Sequence, residues 1–439
     1  MKKNNILAFL KNPLLYIVLL SIVIQNIVYR FFDSYSVFND TYSYIDGYTQ
    51  NIFKGEVNNF RTPIYPYFCK IIKLLFGKEK LYNNIVLVQK MLFVFSIVIF
   101  YMAMKKIFNS KITYCIVTIF YSLSPFLFMW NTIILSESIT IFEFVLLLYF
   151  IISYINKPNK KDAFLVGIII LLMVMTRPSN LFLLGLYLLF LIAKLFFNKE
   201  EKKCIISGLI SSLISIIVIL LYCNQIRVQY GVFNISSVTN VNNFMIITNS
   251  GVYTYGDDEE IIDCLNDISN ETIDQSRWDD LNNCMYQHDT KEITNFIKIA
   301  KRKSGIRYYI YFIKRFLGIG PSSLGVIYAY GPKDNNHIIS TLSYTMLPLS
   351  FTISYYIFAI SFIFICYYYF KFKKIDWIAI LLFTIGFGNI FVSIVFAPFE
   401  TERLSLLSLV VLIVLIPYLY KRIIIDNEKT PRKGKKKSN

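Results

Sequence analysis

Long apolar runs separated by short polar segments are the feature that most restricts how this chain can fold. The runs lie at about residues 13–28, 85–104, 112–130, 139–155, the two stretches that flank Arg177, 205–222, 345–370, 375–396 and 404–420. Each is close to the ~20 residues that a helix needs to cross the hydrocarbon core of a bilayer. A bilayer offers the backbone no hydrogen bonds, so such runs must be helical. The sequence predicts an all-α polytopic membrane protein with about ten transmembrane helices.

The lysine clusters between the runs predict the orientation of the chain. They lie at residues 2–3, 105–106, 157–161, 199–203, 371–374 and 421–437. If the chain crosses the membrane at each run, every one of these clusters falls on the same side. Short Lys/Arg-rich loops stay in the cytoplasm, so both termini are predicted to be cytoplasmic. No small-residue cleavage site follows the first run, which is therefore predicted to be an uncleaved helix.

Composition narrows the location and the class of protein. Lys, Asn and Ile are abundant, as in bacteria with AT-rich genomes, and a bacterial plasma (inner) membrane is the predicted location. The formal net charge is +17, but the basic residues lie between apolar runs, so no nucleic-acid partner is predicted. His288 and His337 are the only histidines, and neither has metal or catalytic-triad spacing. No Gly-rich phosphate loop is present, which disfavours a nucleotide-sugar donor.

This topology divides the chain into four parts. Residues 1–223 form an N-terminal membrane module with a catalytic first outer loop at 31–84, and residues 224–338 form a large extracytoplasmic loop between spans seven and eight. Residues 339–420 hold the C-terminal transmembrane helices, and residues 421–439 form a basic cytoplasmic tail. In the first loop, residues 62–77 place Lys70 and Lys73 on one face and Ile and Leu on the other, which predicts a helix lying in the membrane interface.

The large loop has two distinct stretches. The acidic stretch at 257–280 predicts a small soluble cap, and the aromatic-basic stretch at 307–316 is a candidate for a second interfacial helix. Cys264 and Cys284 are the only cysteines well inside this loop. They are candidates for a disulfide, with free thiols as the alternative.

Ionisable side chains in the predicted outer segments are candidates for chemistry, because charge at helix ends in a membrane is costly. They are Asp33, Asp40, Asp46, Arg61, Glu137, Arg177, Glu400, Glu402 and Arg403. Carboxylates and arginines together suit a general base and a phosphate leaving group. Each also has a simpler interpretation. Asp40 could cap a helix, Glu137 could favour a helix N-terminus through the dipole, and Arg403 could anchor the chain at the headgroups.

Several short motifs, in this order, resemble those of a known family. They are Asp40 before Thr41-Tyr42-Ser43-Tyr44, then Arg61-Thr62-Pro63-Ile64-Tyr65-Pro66, Val88-Gln89, Leu135-Ser136-Glu137, Arg177 and Glu400-Thr401-Glu402-Arg403. The sequence resembles the GT-C superfamily of membrane glycosyltransferases, in the branch similar to protein mannosyltransferases and lipid A aminoarabinose transferases. The motifs cover the N-terminal two fifths of the chain and one late turn.

The resemblance implies an inverting glycosyltransferase that uses a polyprenyl-phosphate-sugar donor at the extracytoplasmic face. It implies catalytic roles for Asp40, as general base, and Glu137. The donor phosphate would be bound by Arg61, Arg177 and Arg403, and the substrates by Tyr42, Tyr44, Tyr65 and Glu402. Asn39 stands beside Asp40 where many relatives have a second acid. No cofactor is therefore assigned, and a divalent metal cation stays open. The other partners implied are membrane lipids and an acceptor of unknown kind.

Two other functions compete with this interpretation. A transporter or lipid-linked sugar flippase would also need polar residues in the membrane, but near the midplane of repeated halves, and no convincing repeat is apparent. A lipid-linked oligosaccharide polymerase or ligase would favour arginine-dominated outer loops without an early acid, and Asp40 argues against it.

Overall fold

The computed structural model describes residues 12–31, 34–47, 54–197, 199–269, 275–317, 337–396 and 405–428. Most of these residues are helical, turns and short extended segments join the helices, and Ser36 and Ile133 form an isolated parallel bridge. The helices are α1 Pro13–Tyr29, α2 Asn39–Gly47, α3 Ile64–Phe76, α4 Leu81–Ile107, α5 Lys111–Ser122, α6 Pro125–Phe128, α7 Glu137–Asn156, α8 Lys160–Thr176, α9 Leu181–Phe197, α10 Lys202–Tyr230, α11 Val238–Asn249, α12 Glu259–Ser269, α13 Gln275–Tyr286, α14 Thr290–Ser304, α15 Ile306–Leu317, α16 His337–Phe372, α17 Trp377–Phe396 and α18 Leu406–Glu428.

The predicted all-α polytopic membrane fold is confirmed, and each predicted apolar run lies on a helix. Six helices of the described chain are long and apolar enough to cross a membrane: α4, α7, α9 with its preceding turn, α10, the later part of α16, and α17. The pair formed by α5 and the segment Pro125–Thr132, bent by 49°, makes a seventh if it is one span. The other predicted spans are α1 and α8, of 17 residues each, and α18, which contains Pro417.

The described lysine clusters at residues 105–106, 157–161 and 199–203 lie with Lys421 at one end of the helical bundle, here called the lysine end. The Asn156 amide donates to the Lys106 carbonyl at 2.8 Å, and the Ser207 hydroxyl donates to the Lys160 carbonyl at 2.9 Å. The Lys421 ammonium donates to the Ile107 carbonyl at 2.8 Å. These contacts join the ends of α4, α7 and α18 and the starts of α8 and α10, so the clusters share the one face that the orientation argument requires.

The orientation itself is tested by reporter fusions. A reporter fused after Lys161 or Lys203 should behave as cytoplasmic, because both residues lie in lysine clusters. A reporter inserted between residues 257 and 280 should behave as extracytoplasmic. Paired phosphatase and fluorescent-protein fusions would measure this, with a fusion after Lys106 as a second cytoplasmic position. An extracytoplasmic signal at Lys203 would overturn the orientation and every site assignment that depends on it.

Helices α8 and α10 pack closely because small residues line their contact. The Ser215 hydroxyl donates to the Gly167 carbonyl at 3.0 Å, and a Cβ added at Gly167 would lie only 2.8 Å from the Ser211 Cβ. Small residues let membrane helices approach at backbone distance. This contact holds the middle of α8 against α10, and Arg177 follows the end of α8.

Helix α3 is amphipathic and packs one face against the bundle. Tyr65, Cys69 and Ile72 are buried, whereas Leu74 and Leu75 are 76% and 70% exposed. An apolar face left exposed at the rim of a membrane bundle suits the lipid interface, as predicted for this segment.

The large loop forms a helical unit with its own apolar core, here called the outer unit (α11–α15). Its core includes Phe244, Ile261, Leu265 and Phe296. Cys264 and Cys284 form a disulfide that joins α12 to α13. Of the two alternatives that the sequence left open, the structure shows the bridge, which ties the acidic stretch to this core.

The outer unit also contains a partly buried lysine, Lys301. Lys301 donates to the Asn243 amide oxygen at 2.5 Å, and burial lowers the pKa of Lys301 to about 8.

Helix α15 follows, with Ile306, Tyr309 and Ile313 exposed, and it contacts α17 of the bundle. An aromatic-apolar face beside a membrane helix is the arrangement expected of the predicted second interfacial helix.

Candidate active site

The first outer loop is joined to the turn that precedes α7, at the end of the bundle opposite the lysines, here called the site end. The Ser36 N–H donates to the Thr132 carbonyl at 2.8 Å, and the Ile134 N–H donates back to the Ser36 carbonyl at 3.1 Å. The Thr41 hydroxyl donates to the Ile134 carbonyl at 2.9 Å. These bonds fix helix α2 beside the start of α7.

Asp40 and Arg61 form an ion pair at this end. The Arg61 Nη2 donates to the Asp40 Oδ1 at 2.5 Å, and the Arg61 Nε donates to the Ser43 hydroxyl at 2.7 Å. The guanidinium carbon lies 4.5 Å from the centre of the Tyr44 ring, a cation–π distance. Asp40 is 35% exposed and Arg61 only 10% exposed. The carboxylate is therefore accessible from outside, while the guanidinium is fixed by three neighbours.

The segment that presents Arg61, residues 55–62, is held by the extended end of α10 and is here called the Arg61 strap. Helix α10 has 29 residues, about 44 Å, and so continues past a hydrocarbon core of ~30 Å. The Gln225 and Gln229 side-chain amides both donate to the Gly55 carbonyl. Gly55 has φ +76°, and a Cβ there would lie 2.7 Å from the Gln225 amide nitrogen, so the tie requires glycine.

Further hydrogen bonds continue along the strap. The Tyr230 hydroxyl donates to the Val57 carbonyl at 2.9 Å, and the Ser236 hydroxyl donates to the Phe60 carbonyl at 2.7 Å. The Ser237 N–H donates to the Asn59 carbonyl at 2.7 Å. At the other side, the Thr62 hydroxyl donates to the Thr176 carbonyl at 3.1 Å, one residue before Arg177. The strap therefore connects the two arginines physically.

Glu137 and Arg177 form the second ion pair. The Arg177 Nη1 lies 3.0 Å from the Glu137 Oε1, with the glutamate side chain fully buried and the arginine 10% exposed. Arg177 has an extended backbone, φ −146° and ψ 119°, as expected for a residue before proline, and Pro178 ends α8. A buried carboxylate of this kind is retained only where a paired charge compensates its lost hydration.

Tyr44 and Tyr65 line the wall behind Arg61. Their rings meet edge to face at 4.9 Å, and the Tyr44 hydroxyl is 3.1 Å from the Ser136 hydroxyl. The Tyr65 hydroxyl donates to the Gln89 side-chain oxygen at 2.7 Å. Burial raises the pKa of Tyr65 well above its usual value, so this hydroxyl is a neutral donor. Tyr42, in contrast, is 56% exposed and does not belong to this wall.

Sequence reasoning missed two polar groups at the site end. Gln89 was noted in a motif but given no role, and its amide donates to the Asn131 and Ile133 carbonyls at 3.0 and 2.8 Å. Glu143 is buried in α7 and accepts from the Thr176 hydroxyl at 2.8 Å. Within the described chain, its other oxygen has no hydrogen-bond partner. An acid in the middle of an apolar run was the signal that could have found it.

Four predicted positions cannot be placed beside these residues. They lie outside the described residues: Asp33, Glu400, Glu402 and Arg403. Among the residues that are described, no three His, Cys, Asp or Glu side chains are placed to hold a metal ion. The described site therefore consists of two arginine–carboxylate pairs, the tyrosine wall and the strap.

Comparison with known proteins identifies a relative family for part of the chain. No curated protein matches the chain. Residues 61–226 match the family model of dolichyl-phosphate-mannose-protein mannosyltransferases. The matched part begins at Arg61 and contains Tyr65, Glu137 and Arg177, whereas Asp40 precedes it. The predicted resemblance is confirmed for this part of the chain: residues 61–226 are similar to GT-C-type membrane glycosyltransferases.

Proposed function

We propose that this protein transfers a sugar, with inversion, from a polyprenyl-phosphate-linked donor to an acceptor at the extracytoplasmic face of a bacterial plasma membrane. Both termini would lie in the cytoplasm, and the site end would face outward. One observation carries the proposal: the fold brings two arginines, each paired with a carboxylate, to one end of a membrane bundle. That is the charge arrangement that a lipid phosphate and a hydroxyl acceptor require.

The donor phosphate competes with carboxylates for these arginines. Arginine binds phosphate oxygens in pairs through its planar fork. Arg61 is bonded to Asp40 in the structure, so a phosphate that takes over Arg61 releases the Asp40 carboxylate. Asp40 then accepts the proton of the acceptor hydroxyl while the acceptor oxygen attacks the anomeric carbon. The bond from that carbon to the phosphate oxygen breaks, and the phosphate leaves with its charge balanced by arginine.

Glu137 acts on the reaction through Arg177. Its side chain has no exposed surface and is bonded to the Arg177 guanidinium, so an acceptor cannot reach it without rearrangement. A carboxylate in this place holds the arginine's fork in one orientation. Of the two acids, Asp40 is the accessible one and therefore the better candidate for the base.

Replacing Arg61, Arg177 or Arg403 by Lys should lower the transfer rate, because lysine keeps the charge but loses the two-point contact with phosphate. A loss of about 10-fold or more is expected at the residue that binds the phosphate directly. Transfer of radiolabelled sugar from polyprenyl-phosphate hexoses and pentoses to membrane acceptors would measure it. Arg227→Lys, an exposed arginine in the last turn of α10, is the matched control. Wild-type rates in all three Lys variants would remove the phosphate clamp from the proposal.

A further inference from the structure

A lysine sits inside the apolar run that forms α4. Lys90 is about 13 Å along the helix from Leu81, whereas Lys105 and Lys106 lie in its last turn at the lysine end. Its ammonium lies 4.0 Å from the centre of the Tyr29 ring at the end of α1. Within the described part of the chain, Lys90 has no carboxylate or hydrogen-bond partner. A charge at this depth is costly enough to indicate a function.

The orientation of the chain does not account for Lys90. The neighbouring residue, Gln89, bonds to Asn131 and Ile133 near the start of α7, so Lys90 lies in the half of α4 that approaches the site end. Positive charge that sets orientation belongs at the lysine end. Lys90 therefore needs another partner, and the negative charge most available at that depth is carried by a lipid.

The surroundings of Lys90 open toward lipid. Leu87 and Met91 on α4 are 53% and 50% exposed, and Ile27 on α1 is 52% exposed. The contact between α1 and α4 is here called the seam, and Lys90 meets the Tyr29 ring there. The Tyr29 ring is fixed there because its hydroxyl donates to the Phe128 carbonyl at 3.0 Å. A lipid chain can therefore stay in the bilayer while its phosphate contacts Lys90.

The seam also leads to the ion pairs. Gln89 accepts the Tyr65 hydroxyl, the Tyr65 ring contacts Tyr44, and the Tyr44 ring underlies the Arg61 guanidinium. One continuous layer of side chains thus separates Lys90 from Arg61. A phosphate bound at Lys90 is next to the tyrosine wall but not in it.

We propose that Lys90 and Tyr29 form a second phosphate-binding point, at which a lipid phosphate rests at the seam between α1 and α4. This proposal rests on the proposed use of a polyprenyl-phosphate donor. The shared chemistry is a phosphate ester on a lipid, and it has two sources, the isoprenoid carrier and bulk anionic phospholipid. The ammonium supplies the charge, and the tyrosine ring keeps it at the seam.

Binding of a photoactivatable polyprenyl phosphate to the full-length protein in phosphatidylcholine nanodiscs tests the proposal without turnover. Lys90→Met should weaken binding about 10-fold or more, because a charge-assisted contact is lost. Lys90→Arg, which restores the charge, should bind within about threefold of wild type. Lys70→Met is the matched control, since Lys70 also lies over a tyrosine ring but on α3. It should bind as wild type does.

The outcomes separate the two proposals. Equal binding by Lys90→Met and wild type, with both proteins monodisperse, overturns the Lys90 site and leaves the transferase proposal standing. Lys90-dependent binding without sugar transfer from any donor tested supports the site and overturns the transferase. Competition with unlabelled lipids identifies the lipid that supplies the bound phosphate. Displacement by phosphatidylglycerol at equal concentration indicates bulk lipid, and displacement by polyprenyl phosphate alone indicates the carrier.

Discussion

Asp40→Asn is expected to lower the rate of sugar transfer by at least about 100-fold, with normal expression and membrane insertion. An acceptor hydroxyl is a weak nucleophile until its proton is removed, and a positioned carboxylate typically contributes about 10²–10⁴-fold. Asparagine has nearly the same size but cannot take the proton. Transfer rates of the purified variant at saturating donor would measure the loss.

The same variant separates catalysis from helix capping. Asn and Asp cap helices about equally, so a capping residue would tolerate the change. The affinity for the donor should not fall with the transfer rate. Without the competing carboxylate, Arg61 should bind the donor phosphate as well as before or better. Asp162→Asn, in the first turn of α8 at the lysine end, is the matched control and should transfer normally. Near-normal turnover by Asp40→Asn would favour capping and move the search for a base to Glu137.

Glu137→Gln should lower the free energy of unfolding by about 3–5 kcal/mol and nearly abolish transfer. Removing one partner of a buried ion pair leaves the other charge without compensation, which is the costly case. Arg177→Gln should destabilise similarly, and the double variant should be more stable than the sum of the two losses predicts. Denaturation in mixed micelles and transfer assays on the same preparations would measure both effects. Additive losses would show that the two side chains do not stabilise each other.

A second buried pair provides the control for function. The Lys194 ammonium lies 2.9 Å from Glu201 at the lysine end, with side chains 2% and 13% exposed. Glu201→Gln should also destabilise the protein, but its folded fraction should transfer sugar at the wild-type rate. A loss of transfer per folded molecule equal to that of Glu137→Gln would attribute the effect to lost stability rather than to Arg177.

The helices and the grouping of ionisable residues were predictable from sequence because each depends on a local pattern. Apolar runs predict helices, and alternation across the membrane places Asp40, Arg61, Glu137 and Arg177 at one end. Which acid pairs with which arginine depends on tertiary packing, and no periodicity encodes it. The exposure of Tyr42 was missed for the same reason, since Tyr44 and Tyr42 look alike in a motif.

The strap and the role of Lys90 were not predicted from the sequence, for two different reasons. In the sequence, the polar end of a helix is all that is indicated by Gln225, Gln229 and Tyr230. Only the folded chain shows that they bind residues 55–57. Lys90 is one charge within a run that is otherwise strongly apolar, so averaging over a span hides it. Single polar residues at membrane depth carry more information than the mean hydropathy around them.

The Arg61 strap has a consequence for where the chain can be divided. The family match ends at residue 226, yet Gln229, Tyr230, Ser236 and Ser237 still bind the strap that presents Arg61. The first residues of the large loop, as far as Ser237, are therefore structurally part of the support for Arg61. A chimaera that joins a foreign loop at residue 226 would remove these hydrogen bonds and loosen the segment that presents Arg61.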